Sequence, residues 1–329
     1  MKINDVIYGS FEIEEPILIA LLHSKPVQRL KRINQYVAPP KQTYPYPGFS
    51  RYEHSVGVML LLRKMGASLQ EQVAGLLHDV SHTAFSHLID WVIGDPAKED
   101  YQDKNHENII VNSELPQILS DFGFDIDAVV DVERHSLLEQ EAPALCADRF
   151  DYAIREFHYW SNPSIVKTCV DHLRVHNGKL VFASKEVAEV FGRNYLRLQN
   201  EHWGSAKIAI RWYILSKILK TALKEKIISL SDFYQDDEYV TKKITTCKNT
   251  HIKQLFEVLS RKLDFELVTH DPQFNLRKKF RYVDPSYLED GILYRLSAVD
   301  QKYKMFLEEH IKRNEKGIRV NLMPQLRVE

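Results

Sequence analysis

RYEHSVGV (residues 51–58) and AGLLHDVSHTAFSH (residues 74–87) are the two stretches that decide how this chain folds. Ser50 and Ser68 each precede a glutamate by three residues, a pattern typical of helix N-termini in which the serine caps the first turn. The apolar spacing predicts one helix over 51–65 and a second over 69–80. Because only three residues separate the two helices, we expect an antiparallel helical hairpin.

The hairpin places its histidines at one end. His54 lies before the turn and His78 after it, each at about 16–18 Å from the turn at a rise of about 1.5 Å per residue. The helix is predicted to end near His78, so that His78 and Asp79 can both turn inward although adjacent helical residues face different ways. Two imidazoles and a carboxylate that converge are typical of a metal site with room for one more oxygen ligand.

Length and composition exclude several classes of protein. The 329 residues carry a net charge of −1, so the chain has no overall basic field that would indicate nucleic acid binding. No apolar run reaches the ~20 residues of a membrane span, and the N-terminus carries acids where a signal peptide would be apolar. The scattered cysteines, Cys146, Cys169 and Cys247, fit neither a disulfide framework nor a structural zinc site. We expect a cytoplasmic protein.

The rest of the chain reads as mainly α-helical. We expect a helical core over 1–225 and a smaller, mixed but mostly helical accessory region over 226–329. The stretch 173–183 alternates around Asn177 and Gly178, which predicts a β-hairpin and the only clear β element.

Two further stretches bear on the site. The proline-rich segment 38–50 is predicted to be an extended loop whose rings, Tyr44, Tyr46 and Phe49, are available to line a pocket. Pro143 is predicted to be the first residue of a helix that continues through DRFDY.

That helix supplies a second set of polar side chains. Four of them share one face at helical spacing: Asp148, Asp151, Tyr152 and Arg155. Two neutral nitrogens and two anionic oxygens form a mixed ligand set that suits Mn²⁺, Fe²⁺ or Mg²⁺, with Zn²⁺ as the alternative. The candidate metal ligands are His54, His78, Asp79 and Asp148.

Other histidines and acids are candidates for proton transfer. His82 lies one turn after His78 on the same side. An imidazole oriented by a carboxylate is a suitable general acid or base for a leaving group or an attacking water. The further candidates are His87, Asp90, His106 and Glu107.

The ordered motifs R-x-x-H, HD, H-x-x-x-x-H-x-x-D, HE and DRFDY resemble those of the HD-domain phosphohydrolases. Over residues 25–215 the chain is most similar to the dNTP triphosphohydrolase branch, which includes the SAM-and-HD-domain enzyme and bacterial dGTPases. The resemblance implies a helical HD fold, a divalent metal, a small nucleotide substrate and a homo-oligomer. The implied reaction converts a dNTP into deoxynucleoside and tripolyphosphate.

The resemblance also implies roles for individual residues. It makes the four candidate ligands the metal ligands, and His82 and His106 the catalytic histidines with Asp90 as aspartate partner, His87 and Glu107 lying beside them. The implied substrate contacts are Arg51 to phosphate, Gln35 and Tyr152 to the deoxyribose, and Tyr36 and Arg197 close by.

The chain departs from the family at several of these positions. Tyr36 stands where the family has a small aliphatic residue that excludes a 2′-hydroxyl, and Glu156 stands for an aspartate. An ungapped continuation keeps Arg197 but places Ser205 where a sugar-stacking tyrosine would be.

The sequence therefore leaves open alternatives to the dNTP triphosphohydrolase reaction. The enzyme could be a nucleotidase for mono- or diphosphates or act on another small phosphoester, and a different class is a nucleotide-binding sensor or assembly subunit with little turnover. The basic cluster 277–281 is predicted to be a solvated face; a second phosphate-binding strip and a subunit contact are the alternatives.

Overall fold

The structure, a computed structural model, describes residues 1–36, 48–160, 163–261 and 263–322. The predicted mainly α architecture is confirmed. The core helices are α1 (Pro16–His23), α2 (Lys25–Arg29), α3 (Arg51–Lys64), α4 (Leu69–Leu77), α5 (Leu88–Val92), α6 (Tyr101–Val111), α7 (Leu115–Asp121), α8 (Ile126–Val130), α9 (Ala147–Trp160), α10 (Pro163–Asp171), α11 (Lys185–Leu198) and α12 (Ala206–Lys224). The later helices are α13 (Asp237–Thr246), α14 (Thr250–Leu259), α15 (Leu296–Val299) and α16 (Gln301–Glu315).

Helices α3 and α4 form the predicted hairpin. The Ser50 hydroxyl accepts a hydrogen bond from the Glu53 amide, and the Ser50 amide donates to the Glu53 carboxylate at 2.7 Å, which completes the capping box. Helix α4 ends at Leu77, three residues earlier than predicted, so His78 is already the helix-capping residue. The chain then runs through turns to α5, which lets successive polar residues face the same cavity.

Short strands are more numerous than the sequence indicated. The predicted hairpin is present, but it is not the only β element. The strands are β1 (Lys2–Asp5), β2 (Gly9–Glu12), β3 (Leu173–His176), β4 (Lys179–Phe182), β5 (Phe265–Leu267), β6 (Phe274–Leu276), β7 (Ser286–Glu289), β8 (Ile292–Arg295) and β9 (Ile318–Leu322). Strands of three to five residues are too short to show a clear alternation, which is why the pattern missed them.

The sheets connect the C-terminal region to the rest of the chain. Strand β7 pairs in parallel with β4, through Phe182 and Tyr287, and forms the four-stranded order β3-β4-β7-β8. Buried apolar residues fall into two clusters, and residues after 226 contribute to both. Val283 and Tyr303 pack in the cluster around α3 and α9, whereas Leu276 packs in the cluster around α12. A domain division near residue 225 stays a prediction.

Helix α9 begins at Ala147, not at Pro143 as predicted. The Ala147 amide donates to the Leu137 carbonyl at 2.7 Å, and the Asp148 amide donates to the Leu138 carbonyl at 3.4 Å. These bonds hold the first turn of the helix against the preceding segment and so fix the position of Asp148.

The predicted aromatic lining of the proline-rich segment is only partly within the described residues. Tyr44 and Tyr46, proposed to line a pocket, lie outside the described residues, and Phe49 is buried. Among the described residues, no helix combines the length and the apolar character needed to cross a membrane.

Candidate metal centre

Three predicted ligands converge where α3, α4 and α9 meet. The Nε2 atoms of His54 and His78 are 3.2 Å apart. Asp148 Oδ1 lies 2.9 Å from His54 Nε2 and 3.5 Å from His78 Nε2. Potential ligand atoms from all three residues lie within 4.8 Å of one another, which is the arrangement expected around one cation.

The other ring nitrogens fix the orientation of both imidazoles. His54 Nδ1 donates to the Asp151 carboxylate at 2.8 Å, and His78 Nδ1 donates to the Gly75 carbonyl at 2.7 Å. With the proton on Nδ1, each Nε2 presents a lone pair toward Asp148. Two lone pairs and a carboxylate at this separation repel one another unless a cation lies between them, so this donor set fits a divalent metal.

The fourth predicted ligand, Asp79, borders this cluster. Its Oδ1 lies 3.5 Å from His78 Nε2, and its Oδ2 lies 3.7 Å from His54 Nε2. The Arg51 guanidinium pairs with Oδ2 at 2.8 Å. Although burial opposes ionisation, Arg51 holds the pKa of Asp79 well below its usual range. Asp79 is therefore an anion beside the cluster, and its ligation of the metal stays a prediction.

The electrostatics of the centre call for positive charge. Burial by itself would lower the pKa of His78, but the charges of Asp79 and Asp148 outweigh it and raise this pKa to about 9. The histidines in turn lower the pKa of Asp148 against the effect of burial. A divalent cation would replace the proton on His78 Nε2, because metal ligands bind in their deprotonated form.

Asp151 is a supporting residue that the sequence analysis placed on the correct helix face but did not assign to the site. It is fully buried, and its Oδ2 also accepts from Arg155 Nε at 2.8 Å. Arg155 bonds in turn to Asp5 at 2.7 Å, so β1 helps to hold the network. The i, i+3 spacing of the two aspartates in DRFDY is the signal that could have identified it.

A cavity of about 1250 Å³ opens at the centre. Most of the predicted site residues line it, including residues from α3, α6, α9 and the segment that follows α4. The predicted residues in its wall are Gln35, Tyr36, Arg51, His78, Asp79, His82, His87, His106, Glu107, Asp148 and Tyr152.

Three predicted residues are not in the wall of this cavity. His54 and Asp90 are buried behind it. Arg197 extends toward the surface, with a side chain that is 47% exposed and 3.8 Å from Glu201. The π-helical turn that follows α11 carries Gln199–Trp203, and Trp203 lines the cavity instead.

Two candidate proton-transfer residues, Asp90 and His106, were expected to pair with each other, but each has a different neighbour. Among the described residues, Asp90 Oδ2 has no hydrogen-bond partner: it lies 3.9 Å from His87 Nδ1, and burial holds the pKa of His87 well below its usual range, so this contact is not an ion pair. His106 Nδ1 lies 3.2 Å from the Ser81 hydroxyl. The expected His106–Asp90 pair is not formed because Asp90 lies three residues after His87, at the start of α5, whereas His106 lies on α6.

His82 and His106 are both neutral at pH 7. Burial lowers the pKa of each to about 4, with Arg51 acting further on His82 and His78 acting further on His106. His82 Nε2 lies 3.2 Å from Asp79 Oδ1. The His106 Nε2 atom is buried and has no hydrogen-bond partner in the described part of the chain.

The cavity wall also carries the residues expected near a sugar. The buried Gln35 Oε1 has no hydrogen-bond partner among the described residues. The Tyr36 hydroxyl donates to the Trp203 carbonyl at 2.6 Å and accepts from Lys278 Nζ at 2.6 Å. The Tyr152 hydroxyl hydrogen-bonds to that of Tyr195.

The prediction that the basic cluster 277–281 forms a solvated face is wrong. Lys278 is buried, and burial lowers its pKa to about 7. Lys279 and Arg281 line the cavity, and Arg281 pairs with the buried Glu99 at 2.5 Å. Only the tertiary structure brings this C-terminal segment over the centre, because it lies more than 120 residues after Asp148 in sequence.

Comparisons with known proteins agree with this geometry. The model of the HD domain family matches residues 51–232. The uncharacterized protein YdhJ of Bacillus subtilis (strain 168) is 36% identical over 99% of this chain and 100% of its own length. The metal-dependent phosphohydrolase cns2 of Cordyceps militaris is 36% identical over 62% of this chain and 61% of that protein.

More distant matches extend the comparison. The deoxynucleoside triphosphate triphosphohydrolase SAMHD1 homolog of Dictyostelium discoideum is 25% identical over 57% of this chain and 42% of that protein. A hypothetical protein from Aquifex aeolicus superposes with a TM-score of 0.68 at 18% identity, covering 92% of this chain and 93% of its own, which shows a shared fold. This chain belongs to the HD-domain family, and its resemblance to the metal-dependent phosphohydrolases of that family is confirmed.

Proposed function

We propose that this HD-domain hydrolase cleaves a phosphoester or phosphoanhydride bond of a nucleotide held in the cavity. The convergence of His54 Nε2, His78 Nε2 and Asp148 Oδ1 at the cavity wall carries the proposal, because it provides a cation site next to a space of nucleotide size. A divalent metal bound there would lower the pKa of a bound water and polarise a phosphoryl oxygen.

The side chains around the centre supply the remaining functions. Neutral His82 and His106 can each accept a proton from the attacking water or hand one to the leaving oxygen. The orphaned His106 Nε2 gains a partner when a substrate oxygen enters the cavity. Arg51 lies between Asp79 and the Ser86 hydroxyl, from where its guanidinium can also contact a phosphate oxygen.

Two versions of the reaction give different products. The similarity to the dNTP triphosphohydrolases favours release of tripolyphosphate from a dNTP. The second candidate is a nucleotidase that releases orthophosphate from a nucleoside monophosphate, and the charge distribution of the cavity favours it. A nucleotide-binding sensor is disfavoured by His82 and His106, which binding alone does not require.

Metal analysis coupled to turnover tests the proposal. The purified protein is expected to bind about one Mn²⁺ or Fe²⁺ at the centre and to hydrolyse at least one nucleotide class. His78→Ala should lose metal and activity together, whereas His106→Asn should keep the metal and lose activity by about 10²–10⁴-fold. Tight saturable nucleotide binding without turnover in the metal-loaded protein would instead support the sensor.

We also propose a cytoplasmic homo-oligomer acting on a small-molecule substrate, as the family resemblance implies. Light scattering coupled to size-exclusion chromatography tests the assembly, and cell fractionation tests the location. A monomer at micromolar concentration would contradict the first expectation.

A further inference from the structure

The cavity is markedly acidic for a site that binds phosphate. Among the described residues its wall holds ten carboxylates but only four arginine or lysine side chains. The carboxylates are Asp79, Glu99, Asp103, Glu107, Asp131, Glu133, Glu139, Glu141, Asp148 and Glu156, and the cations are Arg51, Arg149, Lys279 and Arg281.

Three of the four cations are already paired with carboxylates of the same wall. Arg51 pairs with Asp79 at 2.8 Å, as described above. Arg149 pairs with Glu139 at 2.8 Å and also donates to the Cys146 sulfur at 3.2 Å. Arg281 pairs with Glu99, which is 1% exposed, so separating these two groups would leave an uncompensated buried charge.

Lys279 is the remaining cation. Its backbone amide bonds to the Pro96 carbonyl at 3.1 Å, which fixes the segment, while its ammonium forms no ion pair with any described residue. The charge of Lys279 acts on His87 and Asp103, which places it on the histidine side of the cavity. One cation of the cavity wall is therefore without an ion pair among the described residues and can meet a bound phosphate.

Four of the carboxylates in the wall have no cationic partner among the described residues. They lie on α6, in the short helical turn at residues 132–134 and in the segment after it, and all four are exposed: Asp103, Glu107, Glu133 and Glu141. These carboxyl groups are not compensated by ion pairs, so the mouth of the cavity repels additional negative charge.

We infer that the substrate carries a single phosphate, as in a nucleoside monophosphate, and that the cavity discriminates against triphosphates by charge. The inference rests on the proposed function and names its substrate class. A phosphate monoester carries about −1.5 to −2 at pH 7, which a divalent metal and Lys279 can neutralise. Each further phosphoryl group adds negative charge with no free cation to meet it.

The corresponding reaction is simple hydrolysis of the monoester. The oxygen of water forms a bond to phosphorus, and the bond between phosphorus and the nucleoside oxygen breaks. That oxygen takes a proton and leaves as the nucleoside hydroxyl, and the products are nucleoside and orthophosphate. No oxidant, reductant or further reactant is needed.

The test compares dAMP, dADP and dATP, and the corresponding guanine nucleotides, with the Mn²⁺-loaded full-length protein. We expect kcat/KM to fall about tenfold with each added phosphate at low salt, and the difference to narrow at high ionic strength. Lys279→Gln should raise KM for the monophosphate, whereas Arg277→Gln, an exposed cation outside the cavity, should leave it unchanged.

Reversal of charge at the mouth provides a second measurement. Glu133→Lys combined with Glu141→Lys should improve the efficiency for triphosphate relative to monophosphate by at least tenfold. The matched control is Glu308→Lys with Glu309→Lys, exposed acids on α16 outside the cavity, which should not change that ratio.

The outcomes separate the two proposals. Release of tripolyphosphate from dATP with an efficiency equal to or above that for dAMP would overturn this inference and leave the proposed function standing. Absence of hydrolysis of every nucleotide by metal-loaded protein would overturn the proposed function itself.

Discussion

Replacement of Asp151 tests whether the buried network behind the metal centre controls metal affinity. Asp151 does not line the cavity; it accepts hydrogen bonds from His54 Nδ1 and Arg155 Nε on the same oxygen, each at 2.8 Å. Asp151→Asn can keep an acceptor at that oxygen but removes the negative charge. Asp151→Ala removes both the charge and the acceptor.

The expected magnitudes follow from these two contacts. Partners that orient a metal-binding histidine contribute about 10–100-fold in metal affinity, which corresponds to about 1.4–2.8 kcal/mol. We therefore expect Asp151→Asn to lower the metal affinity about tenfold and Asp151→Ala to lower it about a hundredfold. The alanine variant should also lose about 3 kcal/mol of metal-free stability, because His54 and Arg155 are buried, although Asp5 still pairs with Arg155.

Competition of Mn²⁺ between the protein and a chromophoric chelator measures the affinity, and urea unfolding of the metal-free protein measures the stability. Asp171→Asn, an exposed carboxylate on α10, is the control and should change the unfolding free energy by less than about 0.5 kcal/mol. Wild-type Mn²⁺ affinity in a folded Asp151→Ala protein would refute the reasoning.

Three other predictions concern packing, metal and pH. Gly57→Ala should lower stability by about 1–3 kcal/mol, because its Cβ would lie 1.9 Å from Arg155 Nη2. Gly48→Ala, with no atom of the described residues within 4 Å of its Cβ, should have little effect in the same urea titration. Removal of metal by a chelator should lower the melting temperature, since a ligand at 100 times its Kd adds about 2.7 kcal/mol to the free energy of unfolding. The melting temperature of the Asp148→Ala protein should not change when the chelator is added. Burial depresses the pKa of Lys278 in the folded protein to about 7 from its ordinary 10.5, so the unfolded chain binds more protons between these values and stability should rise with pH across that window. The slope is at most about 1.4 kcal/mol per pH unit and should be absent from the stability profile of the Lys278→Met protein.

For each of these three predictions, one specific result would contradict the reasoning. Equal stability of the Gly57→Ala and Gly48→Ala proteins would mean that Arg155 moves aside at no cost. A chelator effect that persists in Asp148→Ala would place the metal elsewhere. Parallel pH profiles for wild type and Lys278→Met would show that this lysine does not titrate in the window.

The sequence by itself determined the helical hairpin and the elements that carry the metal centre. Capping residues, apolar spacing and a three-residue connection are local signals, and they predicted helix α3 to within one residue at its C-terminus. Because both helices have nearly fixed rise per residue, His54 and His78 had to meet at the open end. The face of α9 that carries Asp148 and Asp151 followed from helical periodicity in the same way.

Other features depended on contacts between distant parts of the chain. The start of α9 at Ala147 depends on carbonyl groups of residues 137 and 138, which no helix-start signal encodes. The separation of Asp90 from His106 depends on where α5 and α6 lie relative to each other. Residues 279–282 line the cavity, and the neighbouring Lys278, which is buried against Tyr36 and Trp212, anchors them there.

The charge of the cavity is the clearest example of what only the tertiary structure decided. A sequence with a net charge of −1 does not indicate that carboxylates from α6, the 131–141 segment and α9 gather around one space while three of four cations pair among them. Local sequence fixes which side chains a helix presents, because hydrogen bonding and capping act over a few residues. Which charges face one another depends on packing between elements that are far apart in the sequence.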